Sequence, residues 1–370
     1  MASNLSLQIK EASRIFRHSQ KVKKEGYKKY QGDALEICEK IISDCWNGNS
    51  FDVSTGHFIQ YYSRDIGWCA PYLIELGYKE ELKITVLAAL DKFLAQGKIT
   101  VAITPEGVAF NFPDCQSIDS LAYFIRTLRL CDCRNLTDEQ KKFLNSEITR
   151  VITTTVDMNT GLIKKDIHIS AMKDHAIRES SMYDNTMLAV ISEETDKLGI
   201  ENPLKNFNYP SILIENFWSG AYFYDDMKKA QIVTGDSNII PFWTGIIKDH
   251  RLLEQTIKSI QTAGLDNPFP LKYVSSPRKE LKMVWTEYLV PGWEQDTIWS
   301  MMGLMYIEIL AKIDRQKAVK HLETYKKIIE ENKTFVELFD KNGKPYKSLF
   351  YAADEGMIWA CMFAALSRRI

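Results

Sequence analysis

The sequence lacks long hydrophobic runs. Its most apolar stretch, Trp299 to Ile313, is shorter than a bilayer span and contains Glu308, so no transmembrane helix is expected. A basic stripe is also missing. The formal net charge is −1 with the two signs interspersed, which excludes the electrostatic footprint of a nucleic-acid or membrane-surface binder. Seven cysteines form no CxxC pair, Cys131 and Cys133 lying only two apart, and the odd count fits reduced thiols rather than a disulfide framework. Six histidines show no metal-ligand spacing. His168 and His175 are too far apart to share a helix face as i, i+4 ligands, so no metal is expected. No glycine-rich phosphate loop occurs, and no cofactor is implied. The first residues have no charged start followed by an apolar core, which reads as a cytoplasmic protein without a leader. No low-complexity linker divides the chain. It reads as one unit, 1–370, with a helical extension at 1–30.

What is abundant is helical periodicity. With 370 residues, 45% of them hydrophobic, the chain can build a large core. Helices are predicted over 31–46, 66–76, 79–96, 117–131, 137–155, 183–198, 203–216, 236–247, 249–262, 294–312, 315–331 and 353–368, with an extra one over 5–24. Strand signals are confined to one hairpin, Lys98 to Ile103 and Val108 to Phe112, around Pro105-Glu106-Gly107. Such a composition is all-α. The helices also alternate in character. Segments 79–96, 137–155, 249–262 and 315–331 carry one apolar stripe on a charged surface. Segments 66–76, 117–131, 183–198, 236–247, 294–312 and 353–368 are apolar on most faces and hold Trp68, Trp243, Trp299 and Trp359. Alternating exposed and buried helices predict two concentric rings of six, an (α/α)6 barrel.

In such a toroid the inner helices run in one direction and their N-termini surround one funnel. The residues just before each inner helix should therefore meet. They read Arg64-Asp65, Asp119, Glu179 with Asp184, Asp236, Glu294 with Asp296, and Asp354-Glu355, so every entrance carries an acid. An acid at a helix N-terminus can be only a cap, worth about 1 kcal/mol or less. The aromatics beside these acids argue for more: Tyr61, Tyr62, Trp68, Phe112, Tyr183, Trp243, Trp293 and Trp299. Rings that stack on a sugar, next to charged groups that bind hydroxyls, point to a carbohydrate pocket. Its densest element is Gly56-His-Phe-Ile-Gln-Tyr-Tyr-Ser-Arg-Asp-Ile-Gly-Trp68.

Four segments resemble the six-hairpin glycosidases, the superfamily of glucoamylases, debranching-enzyme glucosidase domains, trehalases and processing α-glucosidases with their mannosylglycerate hydrolase relatives. Tyr61-Tyr-Ser-Arg-Asp65 is similar to their aromatic-x-Arg-Asp element, which implies that Arg64 and Asp65 bind distal hydroxyls of the terminal sugar. Glu179-Ser-Ser-Met-Tyr-Asp-Asn185 resembles the general-acid segment of trehalases and processing glucosidases, with one additional residue before the Asp. That implies Asp184 as acid, while the glucoamylase pattern favours Glu179. Pro291-Gly-Trp-Glu-Gln-Asp-Thr-Ile-Trp299 is similar to the region opening the fifth inner helix. There Trp293 and Trp299 would shape the pocket and Glu294 or Asp296 bind a hydroxyl. Phe335-Val-Glu-Leu-Phe-Asp340 with Asp354-Glu-Gly-Met-Ile-Trp359 resembles the C-terminal block, which implies Glu337 as general base. A weaker likeness at Glu215 to Asp226 precedes Asp236 and Trp243, with Asp236 as a substrate contact.

The resemblance implies an exo-acting, inverting glycoside hydrolase: one carboxylic acid protonates the leaving oxygen and one carboxylate activates water. The expected substrate is a small soluble carbohydrate, such as an α-glucoside, a disaccharide or a glycosyl-glycerate. The alternatives are an (α/α)6 uronide hydrolase or sugar epimerase, a carbohydrate-binding protein with a degenerate site, and a helical-repeat interaction protein. The last is disfavoured by the absence of self-similar repeats.

Overall fold

A computed structural model describes residues 4–112, 116–167, 169 and 172–370. Among them are thirteen α-helices: α1 (Asn4–Glu25), α2 (Ala34–Cys45), α3 (Ser63–Glu75), α4 (Lys79–Gln96), α5 (Ile118–Leu130), α6 (Asp138–Thr155), α7 (Met182–Leu198), α8 (Tyr209–Phe217), α9 (Gly235–Trp243), α10 (His250–Ala263), α11 (Ser300–Leu310), α12 (Arg315–Asn332) and α13 (Ala360–Arg369). Helix α3 packs on α5, α5 on α7, α7 on α9, α9 on α11, α11 on α13, and α13 back on α3. This closes the inner ring. Around it α4 packs on α3 and α5, α8 on α7, α10 on α9, α12 on α11, and α2 on α13 and α12. The fold is the expected (α/α)6 barrel.

Sequence chemistry decides which helix goes where. On α11 every residue except Glu308 is buried, so the helix can only sit inside. On α10 the buried residues are Leu253, Thr256, Ile257 and Ile260, one stripe at helical spacing, while His250, Arg251, Glu254, Gln255 and Lys258 are exposed. Gly67 lets α3 approach α5, since a Cβ there would lie 2.3 Å from Cβ of Tyr123. Local signals set the ends. Asp33 and Glu36 form a capping box on α2, Thr137 and Gln140 one on α6, and Gly97 closes α4 in a left-handed conformation.

Short antiparallel strands join the helices on the N-terminal side of the inner ring. β1 (Tyr61–Tyr62) pairs with β2 (Ala102–Ile103), and β2 with β3 (Ala109–Phe110). β4 (Val156–Asp157) pairs with β5 (Leu162–Ile163), β6 (Ala176–Ile177) with β7 (Lys282–Met283), and β8 (Ile298–Trp299) with β9 (Leu338–Phe339). The predicted hairpin is β2–β3. Three helix starts differ from the periodicity by six or seven residues. Helix α11 begins at Ser300 rather than 294, because Ile298–Trp299 pair with β9. Helix α13 begins at Ala360 rather than 353, after Gly356 turns the chain at φ +59°. Helix α8 begins at Tyr209, where Asn208 caps it.

The N-terminal α1 lies across the loops at the same end of the barrel. Arg14 donates to Gln60 at 2.9 Å, Lys10 pairs with Glu106 at 2.6 Å, and Tyr62 donates to Glu11 at 2.7 Å. The extension is thus docked onto the barrel. The six described cysteines are buried and form no disulfide, and no described helix is long and apolar enough to cross a membrane.

Candidate active site

The first turns of the inner helices bring one charged cluster together. Its floor is α3. Arg64 and Trp68, four residues apart, share a helix face, and the guanidinium lies 5.4 Å from the indole centroid. Arg64 Nη1 is 3.6 Å from Asp119 on α5 and 3.8 Å from Asp174. Asp119 also accepts the Tyr183 hydroxyl at 3.0 Å. Asp65 accepts the indole N–H of Trp359 at 3.1 Å, and the Trp68 and Trp359 rings meet edge to face at 6.0 Å. Burial pushes the Asp65 carboxyl up to about 6, against the pull of Arg64.

One wall is the opening of α7. Ser181 caps it, accepting the Asp184 N–H at 3.0 Å and donating its own hydroxyl to Asp184 Oδ2 at 2.5 Å. Asp184 Oδ1 is buried without a hydrogen-bond partner. Asp184 lines a crevice with Arg178, Ser180 and Ala176, and burial lifts its carboxyl to about 6 despite Arg178. Glu179 turns the other way. Its side chain is 46% exposed and pairs with Lys228 at 3.5 Å, so it stands outside the cluster.

The opposite wall holds Glu337, next to β9. Its Oε2 accepts the Tyr351 hydroxyl at 2.6 Å and the Asp354 N–H at 2.8 Å. Burial, then the charge of Asp354, raises its carboxyl to about 8, and Asp65 adds to the rise. Asp119 acts in the same way on Asp184. The field is therefore continuous from Glu337 through Asp65 and Arg64 to Asp119 and Asp184. Behind Glu337, the Tyr351 hydroxyl is 3.0 Å from His57 Nε2, and burial holds His57 down to about 4.

Two loops close the rim. Glu294 accepts the backbone N–H groups of His175 and Ala176 at 2.8–2.9 Å, and burial raises its carboxyl to about 7. Lys173 reaches Asp225 at 2.9 Å and Asp236 at 3.0 Å, and Arg178 reaches Asp236 at 3.1 Å. Asp236 is accordingly committed to two buried cations. Trp293 packs on Trp299 at 5.0 Å and on Tyr351 at 4.5 Å, while the Trp299 indole donates to the Trp293 carbonyl at 2.9 Å. Asp296 lies at the Gly292 turn, acting on Lys272, apart from the floor residues.

Three expected sugar contacts sit elsewhere. Successive strand residues point to opposite faces. Tyr61 packs on Phe93 of α4, between the rings of helices, and Tyr62 points to Glu11 on α1. Trp243 ends α9, and eight residues at about 1.5 Å each put it roughly 12 Å from the helix N-terminus. There its indole donates to Tyr72 at 2.8 Å and Glu308 at 3.0 Å, at the far end of the barrel. Sequence reasoning passed over Lys173, Asp174, Arg178 and Tyr351. All four stand on irregular chain, where no period marks them. His168 lies outside the described residues. The histidine spacing gave no sign of a ligand set, yet His18, His57 and Asp354 come together from three distant segments.

The architecture is an (α/α)6 barrel, a fold that this chain shares with solved glycoside hydrolases. The chain superposes on mannosylglycerate hydrolase of family GH63 from Thermus thermophilus, solved with Tris and D-glycerate. The TM-score is 0.59 at 11% identity, over 91% of this chain and 100% of that one. It also superposes on a metal-independent α-mannosidase from Streptococcus pneumoniae, solved with α-1,6-mannobiose. Here the TM-score is 0.59 at 12% identity, over 97% of this chain and 98% of that one. No family model and no curated protein matches the sequence.

Proposed function

We propose that this protein is an exo-acting, inverting glycoside hydrolase that removes a terminal α-mannosyl or related sugar from a small glycoside. The observation that carries the proposal is the pair of buried carboxyls, Asp184 and Glu337, on opposite sides of a floor built from Arg64, Asp65 and Trp68. An inverting enzyme needs two such groups, one on each face of the sugar ring. Asp184 acts as the acid: burial raises its carboxyl to about 6, and the unpartnered Oδ1 is available to a glycosidic oxygen. Glu337 acts as the base toward water, oriented by Tyr351 and the Asp354 N–H. Arg64, a planar fork, and Asp65, an acceptor, suit vicinal hydroxyls.

The structural relatives shift the expected sugar. One is named for mannosylglycerate and the other holds an α-mannobiose, which favours α-mannosides over the α-glucosides expected from the motifs. The test is product release and anomeric configuration by NMR over α-mannosides, α-glucosides and glycosyl-glycerates. Turnover of a mannoside with inversion supports the reading. Retention would discard the two-carboxylate assignment. Binding without release from any substrate would favour a degenerate carbohydrate-binding site.

A further inference from the structure

Next to the Glu337 wall lies a second cluster whose side chains the hydrolytic scheme does not use. His57 is fully buried in the loop before α3, His18 projects from α1, and Asp354 sits in the loop before α13. His57 Nδ1 is 3.2 Å from Asp354 Oδ1, and His18 Nε2 is 3.5 Å from the same oxygen. All three atoms lie within 4.8 Å of one another. The two imidazoles meet at a centroid distance of 5.3 Å.

The hydrogen bonds around the cluster fix the tautomer of His57. With Glu337 ionised, its Oε2 accepts both the Asp354 N–H and the only hydrogen of the Tyr351 hydroxyl. The Tyr351 oxygen, 3.0 Å from His57 Nε2, must then accept from that nitrogen. His57 carries its hydrogen on Nε2, and Nδ1 presents a bare lone pair. His57 Nδ1 and Asp354 Oδ1 stand 3.2 Å apart with no hydrogen bond between them, and both His57 Nδ1 and His18 Nε2 are buried without a hydrogen-bond partner.

A metal ion fits. A tetrahedral zinc with ligand bonds of about 2.0–2.1 Å places neighbouring ligand atoms roughly 3.3 Å apart, each off the other's lone-pair axis. The observed edges of 3.2 and 3.5 Å bracket that length. Asp354 is built for the task. Its Oδ2 is held by Ser54 Oγ at 2.5 Å and the Phe58 N–H at 3.2 Å, and Oδ1 takes the His57 N–H at 2.9 Å, which leaves Oδ1 a lone pair toward the two nitrogens. The Nε2–H of His57 is held by Tyr351, the outer hydrogen bond that orients a histidine ligand. Glu355 Oε1, 3.6 Å from His18 Nε2, stands at the edge of the cluster.

We propose that His18 Nε2, His57 Nδ1 and Asp354 Oδ1 bind a divalent first-row transition ion of the zinc class. Two imidazoles and a carboxylate are the donor set such ions take. The ligands come from three segments far apart in sequence, so the ion clamps α1 onto the barrel. This inference does not depend on the glycosidase reading, because it is measured by metal binding.

The experiment uses the full chain without a histidine tag, stripped with chelator and titrated with Zn²⁺ against a chromophoric competitor. One ion per chain is expected, with Kd below about 1 μM. Thermal unfolding should move up on addition of Zn²⁺ and back on chelation. His18→Ala, on a partly exposed helix position, should weaken binding by at least about 100-fold, since loss of a mere outer-shell partner already costs about 10–100-fold. Its circular dichroism and chelated Tm should stay those of the stripped parent. With Co²⁺, weak visible bands of a low-coordinate nitrogen–oxygen site should appear in the parent and be absent from His18→Ala. The proposal is overturned if no stoichiometric binding is found, or if both His18→Ala and Asp354→Asn bind Zn²⁺ as tightly as the parent.

Discussion

The two ends of the barrel both bury aromatics beside carboxyls but have opposite electrostatics. At the far end, Glu308 is the acceptor for Tyr72 at 2.5 Å, for Trp243 at 3.0 Å and for Arg369 at 2.7 Å. One carboxylate there is met by three donors, and the arrangement is closed. At the N-terminal rim the carboxyls outnumber the basic side chains. Burial lifts Asp65 and Asp184 to about 6, Glu294 and Glu355 to about 7, and Glu337 to about 8. Helix N-termini favour negative charge, which makes such a concentration tolerable at this end. The difference separates a plug that holds the barrel together from a cluster that keeps protons ready for transfer.

The comparison is broken most directly at the two walls. Glu337→Gln should lower kcat by about 10³-fold or more on every substrate, since no other group replaces the base. Asp184→Asn should lose as much on substrates with alkyl leaving groups, yet retain hydrolysis of aryl glycosides whose leaving group needs no proton. Glu179→Gln should leave both rates unchanged, because its side chain faces Lys228. Steady-state kinetics on paired aryl and alkyl glycosides decides this. A loss of aryl-glycoside hydrolysis in Asp184→Asn that matches Glu337→Gln would remove Asp184 from the acid role.

Proton inventory gives the next largest effect. In the proposed scheme the working form needs Asp184 protonated and Glu337 ionised, but the first carboxyl is raised to about 6 and the second to about 8. Activity therefore rises with pH as Glu337 ionises and falls as Asp184 loses its proton. The product of the two fractions peaks near pH 7, with only on the order of one per cent of the enzyme competent. The kcat/KM profile should be a bell with limbs near 6 and 8. In folding, the sign is separate. Because both carboxyls hold protons more tightly folded than unfolded, their stabilising contribution is present below about pH 4 and is lost as pH rises through 6 and then 8. Glu337→Gln should therefore gain thermal stability over the parent at about pH 9 and little at about pH 4. A profile with a single limb would show that one carboxyl does not take part.

The floor is sharpened by Arg64→Lys. Lysine keeps the charge but loses the planar guanidinium whose Nη1 lies near both Asp119 and Asp174 and which stands over Trp68. Substrate binding should weaken by about 10–100-fold in KM, with a smaller change in kcat. An unchanged KM would mean that Arg64 serves only its ion pairs.

The barrel was legible because its evidence is periodic. Helices such as α10, with one apolar stripe, and α11, apolar all round, declare outer and inner positions without any contact being known. The floor and walls were legible where they coincide with helix starts, as Arg64, Asp65, Asp119 and Asp184 do. What could not be read depends on relations between segments. The faces of Tyr61 and Tyr62 follow from β1 pairing with β2, and that pairing joins segments distant in the chain. Asp174 and Lys173 enter the site on a loop with no period. His18 shows an amphipathic helix but not the loop against which it docks. The metal cluster needs His18, His57 and Asp354 together, and ligand spacing along one chain segment is blind to it.

The far end offers the converse test. Trp243→Phe keeps the ring against Tyr123 and removes the N–H that reaches Tyr72 and Glu308. Glu308 retains Tyr72 and Arg369, so no charge is stranded, and the loss should be that of one hydrogen bond to a charged group, about 1.5–3 kcal/mol at most. Denaturant unfolding should show that loss with an unchanged m-value, since the surface exposed on unfolding is the same. KM and kcat should not move, because the residue lies roughly 12 Å along α9 from the helix start that faces the site. A change in KM with unchanged stability would place Trp243 in the sugar pocket, as its neighbourhood in the sequence had implied. It would also mean that the two ends of the barrel are coupled rather than distinct.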